Sequence, residues 1–246
     1  MEKVKCILSY DGSRFSGFQI QPGKRTIQGE IEKALKKIHK GTSIRIQASG
    51  RTDTGVHAIG QTIHFESHFT LPESNWQQAL NTLLPGDIHA HHVEKVPDTF
   101  HARYDAVEKE YRYYVWHAPE WDVFKRNYMY QFSYPLNLEQ MQKACTYFLG
   151  EHDFTTFSSA KATIKGSKTR ALREVTCTKS GNKITFTFRG SGFLYHMVRI
   201  MVGCLLDIGQ GRRKPEDIPE LIAKRDRRLL GATVPADGLY LWQVDY

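Results

Sequence analysis

A single connection, Ser49–Ala58, separates two segments that have the side-chain pattern of β-strands. Residues 42–48 before it and 61–66 after it alternate polar and apolar side chains, as strands with one buried face do. Two such strands predict a short turn between them. The connection instead has a glycine near each end, Gly50 and Gly55, and glycine tolerates backbone angles that other residues resist. We therefore expect a two-strand unit that carries a sharply bent loop.

Asp53 lies inside this loop, two residues after Arg51. A guanidinium that pairs with a carboxylate lowers the carboxylate pKa by roughly one to three units. An ionised carboxylate in a fixed position can act as a nucleophile or as a base. Asp in a glycine-bounded turn also commonly hydrogen-bonds its own backbone and does no more than shape the turn. The loop by itself leaves both roles open.

The composition is that of a globular chain with reduced thiols. Of the 246 residues, 40% are hydrophobic and 24% are charged, and no apolar run approaches the roughly 18 residues that a membrane span needs. The first residues lead directly into a strand, so we expect no signal peptide and a cytoplasmic protein. The cysteines are far apart and form no C-x-x-C pair, which argues against zinc and disulfides. They are Cys6, Cys145, Cys177 and Cys204.

The charge of the chain favours a polyanionic partner. Lys and Arg number 34 against 26 Asp and Glu, which gives a formal net charge of +8. The 12 Tyr, 13 Phe and 4 Trp residues add aromatic surfaces on which bases can stack. The charge alone is weak support, because many basic proteins bind no nucleic acid specifically.

The predicted elements of the first half follow the order of a split βαβ unit. They are strand 4–10, a helix capped by Thr26, strand 42–48, strand 61–66, a helix capped by Ser74 or Asn75, and strand 88–96.

The second half is predicted to repeat this order with insertions. Its predicted elements are strands 108–116 and 126–134, a helix capped by Asn137, an unstructured polar loop 152–167, a hairpin of 169–179 and 183–189, a helix 194–207, a short helix with Pro215 at its first position, and strand 239–244. We predict an α+β fold with two ferredoxin-like halves, 1–100 and 101–246. Their antiparallel sheets are expected to lie side by side, with an active-site cleft between the halves.

Nine residues of the loop, Gly50–Ala58, resemble the signature loop of the TruA family of tRNA pseudouridine synthases. The similarity extends over nearly the whole chain, and the family commonly has Trp at the position of Phe18. The other matching segments are 10–19, 26–30, 100–104 with 111–113, 150–154, 192–199 and 238–241. The resemblance implies the same architecture of two α+β halves.

The resemblance also implies roles for five residues. Asp53 would be the nucleophile, and Tyr111 would lie against a flipped uracil with its phenol near the C5 proton. Arg51 would insert where the target nucleotide was, and Arg199 would be the ion-pair partner of Asp53. Leu239 would form part of the apolar wall of the pocket.

Simpler interpretations of two of these residues exist. Tyr111 is one of several tyrosines on a half-buried strand, and Arg199 could extend from an apolar helix to solvent. An arginine in so apolar a segment needs a partner if it is buried. That requirement weakens the simpler interpretation of Arg199.

The resemblance implies a tRNA substrate, modified at about positions 38 to 40 of the anticodon stem-loop, and a homodimer that also contacts the tRNA elbow. Four basic residues are candidates for contacts with the tRNA backbone, although a solvated loop would look the same: Lys161, Lys165, Lys168 and Arg170. The reaction oxidises and hydrolyses nothing, so no cofactor is expected. No metal is expected either, because no Cys or carboxylate completes the set of His89, His91 and His92.

Two other functions fit parts of the sequence pattern. A non-catalytic RNA-binding module of the RRM type shares the split βαβ order and the sheet aromatics. It gives no reason for two glycines around Asp53 or for Arg199 in an apolar helix. An RNA methyltransferase is less favoured, since no glycine-rich loop follows the first strand to hold a nucleotide cofactor.

Overall fold

The computed structural model describes residues 1–159 and 166–246. The backbone divides into two compact units, residues 1–107 with 240–246 and residues 108–239. Both units contain strands and helices, so the predicted α+β class is confirmed. Most of the last strand belongs to the first unit.

The first unit has the predicted split βαβ order. Its elements are β1 Glu2–Tyr10, α1 Ile27–Ile38, β2 Ile46–Ala48, β3 His57–Ser67, α2 Glu73–Leu83, β4 Ile88–Val96 and β10 Leu239–Asp245, of which Leu239 is the last residue of the second unit. The strands lie in the order β4, β1, β3, β10, and β2 pairs with β3. Strands β1, β2 and β4 make antiparallel pairs, whereas β10 runs parallel to β3.

The two helices of the first unit begin in different ways. Thr26 caps α1 as predicted, because its Oγ1 accepts the Gly29 amide at 3.3 Å. Helix α2 begins after Pro72 without a side-chain cap, so the predicted caps Ser74 and Asn75 are wrong. Both lie inside the first turn of α2. The proline ring fixes φ near the helical value and sets the entry to α2 without a capping hydroxyl.

The two strands beside the Asp53 loop differ in length from the prediction. The strand predicted over 42–48 is reduced to the three residues of β2, and β3 begins at His57 instead of residue 61. Strand β10 pairs with the first residues of β3. Gly60 permits this approach, since a Cβ there would lie 2.5 Å from the Trp242 carbonyl oxygen. A partner so distant in sequence leaves no trace in the local pattern.

The second unit consists of β5 Glu108–Trp116, β6 Tyr130–Gln131, α3 Leu138–Thr146, β7 Gly150–Asp153, β8 Thr169–Ser180, β9 Lys183–Gly190, α4 Met197–Gly209 and α5 Asp217–Lys224. Strands β5, β9, β8 and β7 form antiparallel pairs in that order, and β6 runs parallel to the end of β5. The predicted hairpin is β8 and β9, and Asn137 caps α3 by accepting the Gln140 amide at 3.1 Å. These predictions are confirmed.

Four predictions for the second unit need correction. Helix α4 begins at Met197, because His196 before it has a left-handed backbone with φ of 62°. Helix α5 begins at Asp217, two residues beyond Pro215. Strand β6 is shorter than the predicted 126–134. The start of the predicted loop 152–167 is the end of β7.

The four cysteines are free and buried, which confirms the prediction of buried thiols. Burial raises the pKa of Cys145 and of Cys204 to about 12, so both stay protonated at neutral pH. Across residues 1–159 and 166–246, no helix has the length and apolar character needed to cross a membrane.

Candidate active site

Asp53 lies on the loop of residues 49–56, which joins β2 to β3 in the first unit. The residue is half-buried. Its backbone carbonyl accepts the Val56 amide at 3.1 Å and closes a tight turn across Gly55, where φ is 80°. Within the described chain Gly50 is not among the residues with positive φ. The sharp bend expected from both glycines therefore depends on Gly55.

A loop near the N-terminus packs its backbone directly against this turn. The Phe18 amide donates to the Thr52 carbonyl at 3.0 Å. Gly17 has φ of 83°, and a Cβ at that position would lie 3.0 Å from the Thr52 carbonyl oxygen and 3.4 Å from the carbonyl carbon of Asp53. Any side chain at Gly17 would therefore displace the residues that carry the carboxylate.

Two buried side chains of the neighbouring strands, Gln61 and Tyr10, form hydrogen bonds with the other side of the loop. Ser49 Oγ donates to Gln61 Oε1 at 2.7 Å, and Gln61 Nε2 donates to the Gly50 carbonyl at 2.9 Å. Tyr10 Oη lies 3.4 Å from the same Nε2 and 2.8 Å from Thr52 Oγ1. Burial raises the pKa of Tyr10 to about 12, so its phenol keeps its proton.

Arg51 is exposed, although it lies two residues from Asp53. Among residues 1–159 and 166–246, no ion pair joins these two side chains. The pairing considered from their closeness in sequence is therefore not found. The exposed Arg51 guanidinium does not pair with Asp53 and is available to a ligand.

Tyr111 lies on β5 in the second unit and is half-buried. It is paired across the sheet with Phe188 of β9. Its ring meets the Phe193 ring edge to face, with centroids 4.9 Å apart and an interplanar angle of 75°. Such contacts fix the plane of the Tyr111 ring while its phenol oxygen stays at the end of the side chain.

Arg199 is on the first turn of α4 and is half-buried. Its Nε donates to the Val234 carbonyl at 2.8 Å. Burial raises the pKa of the neighbouring Tyr113 well above the usual range, and the positive charge of Arg199 opposes that rise. The arginine in the apolar helix thus has a polar partner, as its position required.

Residues 234–238, here called the 234–238 segment, connect three parts of the second unit. The segment accepts Arg199 at Val234, and its Pro235 carbonyl accepts the Tyr113 hydroxyl at 2.8 Å. Its Gly238 carbonyl accepts the Tyr114 amide on β5, also at 2.8 Å. Leu239, which follows directly, is buried. The second unit therefore links the strand of Tyr111, Arg199 and Leu239 through one backbone segment.

Two of the four tRNA-backbone candidates fall within the described residues. Lys168 is half-buried. Burial acts to raise the pKa of Asp153, but hydrogen bonds from Thr155 and the charges of Arg225 and Lys168 lower it. Arg170 is also half-buried, and its Nη1 donates to the carbonyls of Ser167 at 3.0 Å and Thr169 at 2.6 Å. Lys161 and Lys165 lie outside the described residues.

Comparison with known proteins identifies the family. The family model described as tRNA pseudouridine synthase matches residues 7–105 and 144–246. The chain belongs to the tRNA pseudouridine synthase family. Enzymes of this family are isomerases that act on uridine in tRNA, and this chain is an enzyme of that class.

Relatives with this activity in their names match the whole chain. The tRNA pseudouridine synthase A of Oceanobacillus iheyensis is 58% identical over 246 residues, which are 100% of this chain and 97% of the relative. The tRNA pseudouridine synthase A 1 of Bacillus cereus is 53% identical, covering 100% and 99%. The tRNA pseudouridine synthase A of Geobacillus kaustophilus is 52% identical, covering 100% and 95%.

The match to the tRNA pseudouridine synthase family divides the site residues. Asp53, Arg199 and Leu239 fall inside the matched ranges, whereas Tyr111 lies between them. The assignment of Tyr111 to the site therefore relies more on the full-length relatives and on the geometry of Tyr111 than the assignment of the other three residues does.

Sequence reasoning missed the residues that hold the site of this pseudouridine synthase. It gave no role to Ser49 and Gln61, which bind each other behind the loop, or to Tyr113 and Val234 beside Arg199. One signal was available: Gln61 is a polar residue on a strand that turned out to be fully buried. A buried amide must find hydrogen-bond partners.

The three histidines of β4 are exposed, and the rings of His89 and His91 lie 4.9 Å apart. Burial, followed by the charge of His89, lowers the pKa of His91. In the part of the chain that the structure describes, no group of three or more His, Cys, Asp or Glu is placed to hold a metal ion.

Proposed function

We propose that this pseudouridine synthase converts uridine to pseudouridine at about positions 38 to 40 of the tRNA anticodon stem-loop, with Asp53 as the nucleophile. The observation that carries the role of Asp53 is its loop. A half-buried carboxylate sits on a turn closed by the Val56 amide and supported by the Phe18 amide. The resemblance of this loop to the TruA signature loop favours the nucleophile over a residue that only shapes the turn. The position in the tRNA comes from the resemblance to the TruA family.

The reaction needs few groups from the protein. The bond from ribose C1′ to uracil N1 breaks, a bond from C1′ to C5 forms, and the proton on C5 is lost while N1 regains one. No electrons are transferred and no water is consumed, so one carboxylate and a group that moves the C5 proton suffice. Asp53 can begin by adding to the uracil ring, by adding to C1′, or by taking a proton from the ribose.

Tyr111 and Arg199 complete the proposed site. The Tyr111 ring, fixed by Phe193, offers an aromatic face for the uracil and a phenol that takes part in removing the C5 proton. Arg199 keeps the carboxylate of Asp53 ionised, and Leu239 contributes an apolar wall. Arg51, which is exposed, takes the place of the flipped nucleotide and offsets part of the cost of flipping, about a few kcal/mol.

The proposed tRNA surface includes Lys168 and Arg170. Arg170 uses one nitrogen for two backbone carbonyls, and a guanidinium has further donors for a phosphate. Phosphate contacts release counterions, so raising the salt concentration should weaken tRNA binding steeply. An affinity that is insensitive to salt would contradict a phosphate-binding surface.

The enzyme is proposed to act as a homodimer in the cytoplasm. Five large apolar side chains are exposed within one stretch of the second unit, which is typical of an interaction surface: Trp121, Val123, Phe124, Tyr128 and Tyr134. Phe124→Glu should shift the protein toward monomer in analytical ultracentrifugation. Tyr104→Glu, at an exposed tyrosine of the first unit, is the matched control. An unchanged mass for Phe124→Glu would remove this stretch from the dimer interface.

The decisive experiment replaces the carboxylate. Asp53→Asn should abolish release of tritium from C5 of labelled uridine in tRNA, and it should still bind tRNA. Asp98→Asn, at an exposed aspartate of the same unit, should keep normal turnover. Normal turnover by Asp53→Asn would show that the nucleophile is another group. Binding without any tritium release by the unmodified protein would favour the non-catalytic RNA-binding module.

A further inference from the structure

We propose that the buried hydrogen-bond network of Ser49, Gln61, Tyr10 and Thr52, here called the loop clamp, sets the position of the Asp53 carboxylate. Its members are positioning residues for the isomerisation and do not touch the substrate. The inference depends on the proposed role of Asp53 as nucleophile.

The loop clamp begins on the strands that flank the loop. Gln61 is on β3, opposite Leu8 of β1, and is fully buried. Ser49 is anchored to β3 because its amide donates to the Thr62 carbonyl at 2.8 Å. Tyr10 is the last residue of β1. The clamp is therefore built on the strands of the first unit's sheet.

The hydrogen bonds of the clamp fix the orientation of the Gln61 amide. Ser49 Oγ donates to Gln61 Oε1, so the amide NH2 of Gln61 faces the Gly50 carbonyl and the Tyr10 oxygen. The Gly50 carbonyl can only accept, so a flipped Gln61 amide would place two acceptors together. Tyr10 receives a hydrogen bond from Gln61 and shares a second one with Thr52 Oγ1, in which either hydroxyl can be the donor.

The clamp contacts the loop on both sides of Arg51. Gln61 holds the backbone of Gly50, one residue before Arg51, and Tyr10 holds the side chain of Thr52, one residue after it. Thr52 is the residue directly before Asp53 and is buried. Without the side chains of the clamp, the backbone hydrogen bonds of the Ser49, Phe18 and Val56 amides remain, but none of these three bonds reaches Gly50 or Arg51.

This arrangement has a consequence for the rate. A nucleophile that is displaced by about 1 Å loses roughly a hundredfold in rate, because the reacting atoms leave the productive geometry. Binding of tRNA uses a large charged surface and does not depend on that displacement. The clamp should therefore affect kcat much more than it affects the affinity for tRNA.

Tyr10→Phe is the first test, since it removes one oxygen and keeps the ring. We expect kcat to fall about ten- to a hundredfold, while the Kd for tRNA changes less than about threefold. Thr52→Val should give the same loss, and Thr52→Ser, which keeps the hydroxyl, should restore most of the rate. The double variant Tyr10→Phe with Thr52→Val should be no slower than the slower single variant, because both act through one hydrogen bond.

A matched pair of buried serines separates positioning from stability. Ser49 and Ser67 are both fully buried, and Ser67 bonds to His39 Nε2 at 2.9 Å away from the clamp. Ser49→Ala and Ser67→Ala should both lower the melting temperature, and only Ser49→Ala should lower kcat. Equal effects of the two on kcat would overturn the proposal.

The outcomes distinguish this proposal from the proposed function. If Asp53→Asn is inactive and folded Tyr10→Phe keeps the normal kcat, the clamp has no positioning role, and Asp53 remains the nucleophile. If Asp53→Asn keeps its activity, the proposed function fails, whatever Tyr10→Phe does. A drop in tRNA affinity that accounts for the whole loss in Tyr10→Phe would also overturn the clamp as a positioning device.

Discussion

The Asp53 loop of the first unit and the 234–238 segment of the second unit are held in opposite ways. In the first, buried side chains of neighbouring strands hold a loop that carries the proposed catalytic carboxylate. In the second, backbone carbonyls of a connecting segment hold the side chains of Arg199 and Tyr113.

This difference predicts that the two regions respond differently to side-chain substitutions. A carbonyl is present whatever residue occupies the position, so the 234–238 segment can change its side chains and still accept Arg199. The Asp53 loop depends on particular hydroxyl and amide groups, and an unpartnered buried group costs about 1–3 kcal/mol. Asp53, the proposed nucleophile, should therefore respond to substitutions of its neighbours, and the Arg199 guanidinium should respond mainly to changes in the backbone.

The largest expected effect comes from a substitution that removes a reactive group and leaves the packing around it intact. Tyr111→Phe should lower turnover by at least about a hundredfold, because a positioned phenol that transfers a proton contributes roughly that much or more. Its ring contact with Phe193 remains, so tRNA should bind normally. The C5 tritium-release assay and a filter-binding assay measure the two quantities.

Tyr114 provides the control for Tyr111. It lies three residues further along β5, so its side chain points to the other face of the sheet. Tyr114→Phe should keep turnover within about threefold. An unchanged rate for Tyr111→Phe would reduce the Tyr111 phenol to a packing group.

Next in size is the effect of a methyl group where the backbones meet. A Cβ at Gly12 would lie 2.0 Å from the Val56 carbonyl oxygen, and a Cβ at Gly238 would lie 2.5 Å from the Tyr114 carbonyl oxygen. Both substitutions to Ala should lower the free energy of unfolding by about 1–3 kcal/mol. Gly12→Ala should also lower kcat about tenfold, since Val56 closes the turn of Asp53.

Thermal unfolding and turnover of the Gly12 and Gly238 variants should be compared with those of Gly86→Ala. Gly86 has ordinary backbone angles and open space around its Cβ position, so this variant should resemble the unmodified enzyme. If Gly238→Ala lowered kcat more than Gly12→Ala did, the second unit would be the more sensitive one, and the comparison would have to be reversed.

The sequence allowed most of the fold of the first unit to be predicted. Alternating patterns and the Thr26 cap identified its strands and α1, because these signals act within a few residues. The pairing of β10 with β3 escaped prediction, since it joins residues about 180 positions apart through the close approach at Gly60. The start of α4 was missed because the left-handed backbone of His196 has no glycine to indicate it.

A chemistry for the candidate site could be proposed from the sequence, but the groups that support the site could not. Asp53 and Tyr111 carry groups whose types suggest reactions, and the resemblance to a family gave each a role. Gln61 acts through the direction in which its side-chain amide points. Val234 acts through its backbone carbonyl, a group that every residue has. Only the three-dimensional structure shows which polar groups become buried and must therefore be paired.

The smallest expected effect is the most direct test of the contrast. Val234→Ala removes buried methyl groups, so the free energy of unfolding should fall by about 1 kcal/mol, but the carbonyl that accepts Arg199 Nε stays in place. Turnover should remain within about threefold of the unmodified enzyme. Tyr10→Phe removes a single oxygen from the first unit and should cost more in kcat than Val234→Ala does. If Val234→Ala proved the slower enzyme, Arg199 would depend on the Val234 side chain, and the two supports would not differ in kind.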